Sequence, residues 1–265
     1  MLDAHAQVLE LTIADRELTI HQSPTLLKSN LATGTTGAVV WDLTPVFAEW
    51  IASRTNVLFK KGILSIDATV LELGSGIAGI VGLMLAPTVK RFIFTDQEYV
   101  LKMLKQNVEE NTIVPKEQKA LKGRRGKSTK GHITESASAS NIDILALDWE
   151  TSALDELPQM LDTDGRGSGI DVILAVDCIF NENIVEPLVQ TCKTLCRIRQ
   201  AHDDAHPTVV VFAQQLRLPD IFEQWLRTAL IDFNVWRVPS DMLSKPLAER
   251  SGFIVHVAVL SGGLI

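Results

Sequence analysis

Apolar and polar residues alternate in two short runs near the start of the chain: Leu9, Leu11 and Ile13, then Leu18 and Ile20. Ala14-Asp15-Arg16-Glu17 lies between them, so residues 8 to 21 predict a β-hairpin. Thr33-Gly34-Thr35-Thr36-Gly37 reads as a loop, followed by the apolar run Ala38 to Trp41. Thr44 is then a candidate helix N-cap with Pro45 at the first helical position. Val46, Phe47, Trp50 and Ile51 would share one face of that helix. From residue 69 apolar strands alternate with helical stretches. Strands are expected at 69–73, 91–95, 142–147, 171–176 and 208–213, with helices at 77–85, about 97–111, 219–231 and after the later strands. Val235 to Val238 and Phe253 to Leu260 close the chain as strands with no helix between them, so one of the two should run antiparallel.

Repeated β-then-α units imply a mostly parallel sheet covered on both faces. The expected fold is therefore α/β: a Rossmann-like sheet of seven strands with helices on both sides, one antiparallel C-terminal strand and an N-terminal β-hairpin extension. The hairpin extension would occupy residues 1–33 and the main domain residues 34–265. Residues 115–141 break the rhythm, with Lys122-Gly123-Arg124-Arg125-Gly126-Lys127 and Ser136-Ala137-Ser138-Ala139-Ser140. They lack apolar periodicity and read as a flexible basic insertion, either a tolerated surface loop or an arm for ribosomal RNA or an acidic surface. Asp162 to Gly169 is a second polar loop.

Composition changes this picture little: 265 residues, 46% hydrophobic and 22% charged, suit a sizeable core without disulfide or metal. Charge changes it more. Residues 116–130 hold seven Lys/Arg and one acid, leaving 18 basic and 31 acidic residues elsewhere, a net of −13. Such an acidic body disfavours non-specific nucleic-acid binding and suits a basic, lysine-rich partner; only the loop 116–130 is suited to touch nucleic acid. Cys178, Cys192 and Cys196 show no framework spacing and read as buried free thiols, with no metal expected. Met1-Leu2-Asp3-Ala4-His5 has no signal-peptide pattern, and no stretch reaches the ~20 apolar residues of a membrane span. We expect an intracellular protein without membrane contact, cytoplasmic with the nucleus as an alternative, and monomeric.

Glu72-Leu73-Gly74-Ser75-Gly76-Ile77-Ala78-Gly79 carries G-x-G-x-x-G between a strand and a helix. Glycines there permit a tight turn and close approach of a ligand, and the helix would offer free N–H groups to it. Dinucleotide enzymes and methyltransferases share this pattern. Glu72 can accept from the ammonium of a bound amino-acid moiety, whereas a pyrophosphate has no cation to offer it. Asp96, at the end of the next strand, can accept from two ribose hydroxyls or cap the following helix. Leu147-Asp148-Trp149 falls where an adenine ring would lie, although a Trp at a strand end more often serves packing. Ala175-Val176-Asp177-Cys178-Ile179-Phe180 falls at the switch-point crevice, where a second substrate must meet the cofactor.

The order E-L-G-S-G-x-x-G, T-D, L-D-W and D-x-x-F resembles the class I, seven-strand S-adenosylmethionine-dependent methyltransferases. More closely it resembles the small protein-lysine methyltransferases in which D-x-x-Y/F replaces N-P-P-Y. Thr36-Gly37-Ala38-Val39-Val40-Trp41-Asp42 is similar to that group's G-x-x-x-W segment, and Gly37 to Pro45 looks most like the fungal branch that methylates a large-subunit ribosomal protein. The resemblance spans about residues 34–260. It implies S-adenosylmethionine contacts from Trp41, Gly74, Ser75, Gly76, Asp96, Trp149 and Ala175, beside Glu72 and Gly79 of the glycine turn. Asp177 and Phe180 would line a lysine channel, with Asp177 capturing and orienting the lysine. Phe180 departs from the commoner Tyr and can offer packing or a cation–π contact only. The basic insertion matches no motif of the family.

Other readings stay open at this point. A nicotinamide-dependent oxidoreductase could use a similar sheet, but Tyr99 is followed four residues later by Met103, so a Tyr-x-x-x-Lys pair is absent. A silent cofactor-binding chaperone or ribosome-assembly factor, and a methyltransferase acting on a small molecule or nucleic acid, are the remaining alternatives. Asp177 at the N-P-P-[YF] position favours an aliphatic amine over a planar nitrogen.

Overall fold

The computed structural model describes residues 2–27, 36–112, 141–161, 169–200, 206–248 and 252–262. The basic insertion up to residue 140, the polar loop up to residue 168 and the start of the 33–37 loop lie outside the described residues. In chain order the elements are β1 (Val8–Ile13), β2 (Arg16–His21), α1 (Pro24–Leu27), α2 (Leu43–Ala52), α3 (Val57–Lys60), β3 (Thr69–Leu73), α4 (Ile80–Leu85), β4 (Arg91–Asp96) and α5 (Glu98–Thr112). They continue as β5 (Ile142–Ala146), α6 (Leu157–Leu161), β6 (Val172–Val176), α7 (Glu182–Gln200), β7 (Val209–Gln215), α8 (Pro219–Asp232), β8 (Phe233–Arg237) and β9 (Phe253–Leu260).

Seven strands form one sheet in the order β5-β4-β3-β6-β7-β9-β8. The first five are mutually parallel, and β9 runs antiparallel to both β7 and β8, as the missing helix between the last two strands predicts. All five residues of β3 and of β6 are buried; β6, Val-Ile-Leu-Ala-Val, is an unbroken apolar run, and β3 is apolar apart from Thr69 and Glu72. Alternation along each strand divides the core in two. Val70, Phe92, Phe94, Val172 and Leu174 face α2, α4 and α5, whereas Leu71, Leu73, Ile93, Ile173 and Ala175 face α6, α7 and α8. The chain builds outward from β3 through β4 to β5, then crosses to β6 on the other side of β3. The topological switch point therefore lies between β3 and β6.

Two helix starts differ from expectation. Helix α4 starts at Ile80, not Ile77, because Gly74, Gly76 and Gly79 all take left-handed conformations and no helix can propagate through them. Helix α2 starts at Leu43, with Asp42 rather than Thr44 before it. Asp42 makes no capping bond; its carboxylate accepts from the Leu2 amide at 2.9 Å. Pro45 is tolerated because it lies in the first turn, where amide donors have no helical acceptor.

The hairpin β1–β2 turns through Ala14 and Asp15, both at positive φ, which matches the twist of a two-residue hairpin. Its outer strand does not end in solvent. Asn107 and Asn111, one turn apart on α5, exchange bonds with the β2 backbone as a neighbouring strand would. Asn107 Oδ1 accepts from His21 N and its Nδ2 donates to His21 O; Asn111 does the same with Thr19, at 2.8–3.0 Å throughout. Asn107 Nδ2 also donates to Ile77 O at 2.7 Å, tying the hairpin to the glycine turn. No helix among the described residues is long and apolar enough to cross a membrane.

Candidate active site at the switch point

The carboxyl ends of β3, β4, β5 and β6 open into a cavity of about 310 Å³. Its lining includes Trp41, Gly74, Ser75, Gly76, Asp96, Trp149, Asp177 and Phe180, which lie up to 139 positions apart in sequence. Three other predicted site residues do not line it. Glu72 lies beneath the glycine turn, buried on the α4 side of β3. Gly79 caps α4, and a Cβ there would meet the Leu104 side chain at 2.8 Å, so its task is to let the turn close. Ala175 is buried in the core facing α6–α8.

The glycine turn uses its own amides. Ser75 N donates to Thr95 O at 3.1 Å, Gly76 N to Asp96 Oδ2 at 2.7 Å and Ile77 N to Gly37 O at 2.9 Å. Amides committed in this way do not form a cradle for a pyrophosphate. A Cβ at Gly74 would stand 3.2 Å from the Trp149 ring and 3.0 Å from Cys178 Sγ, so glycine there allows the indole to form the cavity wall. Residues 36–41 close over the turn through the Gly37 carbonyl, and Trp41 Nε1 donates back to Thr36 O at 2.9 Å.

Asp96 accepts from Gly76 N and Gln97 N, both at 2.7 Å, one on each oxygen. A carboxylate has about four acceptor positions, so hydroxyls of a ligand can still be accommodated. Burial raises its pKa to about 6 against the pull of those two amides, with Asp148 adding to the rise. Burial pushes Glu72 up to about 8, opposed by Ser75 and assisted by Asp96. Glu72 Oε2 and Trp149 Nε1 are both buried, and neither has a hydrogen-bond partner among the described residues. A buried polar atom without a partner is costly, so the Glu72 acceptor and the Trp149 indole donor are two places in this region where a ligand group would compensate.

Asp177 follows β6 at φ +57°, buried, with its amide bonded to Ala213 O at 2.7 Å. Its carboxylate accepts from Gln215 N at 3.2 Å and from Arg217 Nη2 at 2.5 Å. The Arg217 guanidinium also lies over the Trp41 ring, 4.9 Å from its centroid. Arg217 is the site residue that sequence reasoning missed: Leu216-Arg217-Leu218 before Pro219 reads as an ordinary strand-to-helix link. Cys178 also lines the cavity; its thiol donates to Leu73 O at 3.2 Å, and burial raises its pKa well above the usual value. Cys192 and Cys196 are likewise buried and free.

The charge balance is one-sided. Asp96, Asp148, Glu150 and Asp177 line the cavity, and among the described residues lining it only Arg217 is cationic. Such a wall repels an anionic ligand and attracts a cation.

An acid-lined crevice thus lies at the switch point of a Rossmann-like sheet. Residues 18–122 and 129–216 match the family described as lysine methyltransferase, and the chain belongs to that family. It is 28% identical to the ribosomal lysine N-methyltransferase 5 of Zygosaccharomyces rouxii, over 88% of this chain and 76% of the relative. It is 30% identical to the protein of the same name in Vanderwaltozyma polyspora, over 90% of this chain and 79% of the relative. Among solved structures it is similar to the tRNA (uracil-54, C5)-methyltransferase of Pyrococcus abyssi in complex with S-adenosyl-L-homocysteine. That match has a TM-score of 0.42 and 16% identity, and covers 96% of this chain and 44% of the other.

Proposed function

We propose that the protein transfers a methyl group from S-adenosylmethionine to the ε-amine of a lysine in a basic protein, and that a large-subunit ribosomal protein is the substrate. The observation that carries this reading is the acid-lined cavity, in which Arg217 is the one guanidinium among the described residues, with a buried Glu72 oxygen that has no partner among them beneath the glycine turn. S-adenosylmethionine carries an ammonium and a sulfonium, whereas NAD brings a pyrophosphate for which the turn has committed its amides. The residues fit the cofactor: Glu72 would face its ammonium, Asp96 its ribose hydroxyls, and Trp149 with Leu147 its adenine. Trp41 would cover it from the 36–41 segment. The names of the relatives support a ribosomal substrate, and the acidic body of the chain suits a lysine-rich one.

When bound, S-adenosylmethionine supplies a methyl group already activated by positive sulfur. The protein's task is then alignment and delivery of a neutral amine. With an ordinary pKa of ~10.4, only about one lysine in a thousand is neutral near pH 7.4. Asp177, fixed by the Gln215 amide and Arg217, orients the amine. Phe180 forms an apolar wall and, lacking a hydroxyl, moves no proton.

Thermal-shift measurements with S-adenosylhomocysteine and NAD test the ligand: only the former should raise Tm. Incubation with tritiated S-adenosylmethionine and hypomethylated large ribosomal subunits should label one protein on lysine. Asp177→Ala should lower that labelling by about a hundredfold or more while leaving S-adenosylhomocysteine affinity within a few-fold. Stabilisation by NAD alone, or label on RNA, would overturn the reading.

A further inference from the structure

Resting on the proposed lysine methylation, we propose that Arg217 is a positioning residue that decides the protonation state in which the substrate amine is received. The amine nitrogen needs its lone pair to form the new N–C bond, so its proton must leave beforehand. A buried carboxylate beside the amine opposes that departure, because it favours the ammonium. Asp177 is such a group: its side chain is 4% exposed and it directly follows β6 in the cavity lining. Arg217 supplies the counter-charge in advance. It donates to Asp177 Oδ2 at 2.5 Å and to Gln215 Oε1 at 3.1 Å, and its face rests on Trp41. The paired carboxylate keeps acceptor positions for the amine but no net charge with which to hold an ammonium.

The other titratable groups around the cavity are Asp96, Asp148, Glu150, Tyr99 and Cys178, with Glu72 beneath. They are the same in every variant below, so differences between variants report on the Asp177–Arg217 pair. Arg217 also blocks a ready-made cation site, a carboxylate beside an aromatic face, that would otherwise bind any ammonium.

The test compares wild type, Arg217→Gln, Arg217→Lys and the double variant Asp177→Asn/Arg217→Gln. After glycine, Asn is the residue best suited to the positive φ of position 177, so the double variant should fold. The first readout is binding of n-butylammonium, almost wholly protonated in solution near neutral pH like a lysine side chain, to protein saturated with S-adenosylhomocysteine. Arg217→Gln should bind it about tenfold more tightly than wild type, a difference of ~1.4 kcal/mol. Arg217→Lys should resemble wild type, and the double variant should lose the gain. The second readout is the pH profile of lysine methylation. In Arg217→Gln, KM for the protein substrate should fall and kcat at pH 7.5 should fall, with the rising limb of kcat moved about one pH unit alkaline. Equal n-butylammonium affinity in wild type and Arg217→Gln, or a lower amplitude with an unmoved limb, would reduce Arg217 to packing and overturn the proposal. If wild type transfers no methyl to lysine, the functional reading has failed, and n-butylammonium binding still decides the role of Arg217.

Discussion

The two ends of the same sheet treat charge in opposite ways. At the amino ends of the strands, ions are matched. Arg91, the first residue of β4, is buried and donates to Asp143 Oδ2 at 2.6 Å and to Leu161 O at 2.7 Å. Asp171, just before β6, pairs with Arg199 and accepts from Thr69 N at 2.7 Å. At the carboxyl ends four acids meet one guanidinium, and a fifth acid, Glu72, lies buried with an unpartnered oxygen. Matched charges cost little and fix register. Unmatched acids destabilise the unliganded fold and are compensated when a cation binds. The contrast separates structural ion pairs from a binding site by their balance, with no reference to residue type.

The comparison is broken most directly at the amino end. Arg91→Ala should cost about 3–5 kcal/mol by removing one partner of a buried pair, lowering Tm by roughly 10 °C. S-adenosylhomocysteine affinity of the folded protein should stay within about twofold. A Tm change under about 2 °C, measured by calorimetry, would mean that this end is not structurally matched.

At the carboxyl end the same truncation should invert the outcome. Asp96→Ala should weaken S-adenosylhomocysteine by about thirtyfold, ~2 kcal/mol, while Tm without ligand falls less than in Arg91→Ala, the Gly76 and Gln97 amides losing their acceptor as a buried acid is removed. Isothermal titration that finds unaltered affinity would sink the assignment of Asp96 to ribose.

The smallest effect is the most specific. Glu72 rises from the ordinary range to about 8, so the unliganded fold holds it protonated at pH 7. Its contribution to stability is full below about pH 4.5 and declines as pH climbs through about 8, since ionisation then strands a buried charge. A bound ammonium favours the ionised form, so cofactor binding should release a proton and tighten as pH rises from 6 to 8. Glu72→Gln should remove that pH dependence above about pH 7, leaving the part near 6 that belongs to Asp96, and raise Tm of the unliganded protein by a few degrees at pH 8.5. Titrations in two buffers of different ionisation enthalpy measure the released proton; equal heats would contradict the linkage.

Much of this site was legible along the chain because the groups that make it sit at strand ends, and strands buried on both faces announce themselves as apolar runs. Gly74, Asp96 and Asp177 each follow such a run by a residue or two, and Trp149 follows the half-buried edge strand β5, so a parallel sheet must gather them at one edge. The misreadings were local in cause. The end of the glycine turn reads as helix in sequence because the left-handed φ values of Gly74, Gly76 and Gly79 leave no periodic signature. Thr44-Pro45 looked like a helix start because Asp42, the residue before the helix, has its carboxylate engaged by Leu2, 40 positions away.

The sequence by itself determined the alternating architecture, the acidic strand ends and the family, since these depend on residue type and on spacing within one β–α unit. Tertiary structure decided what each acid faces. Asn107 and Asn111 act on a strand 86 and 92 positions away, and Arg217 reaches Asp177 across 40 positions and stacks on Trp41. No local pattern marks such partners, because a side chain that bonds across the fold leaves no periodicity in its own neighbourhood. Whether Asp177 meets the substrate as a bare carboxylate or as half of an ion pair is a question of space, and only the folded chain answers it.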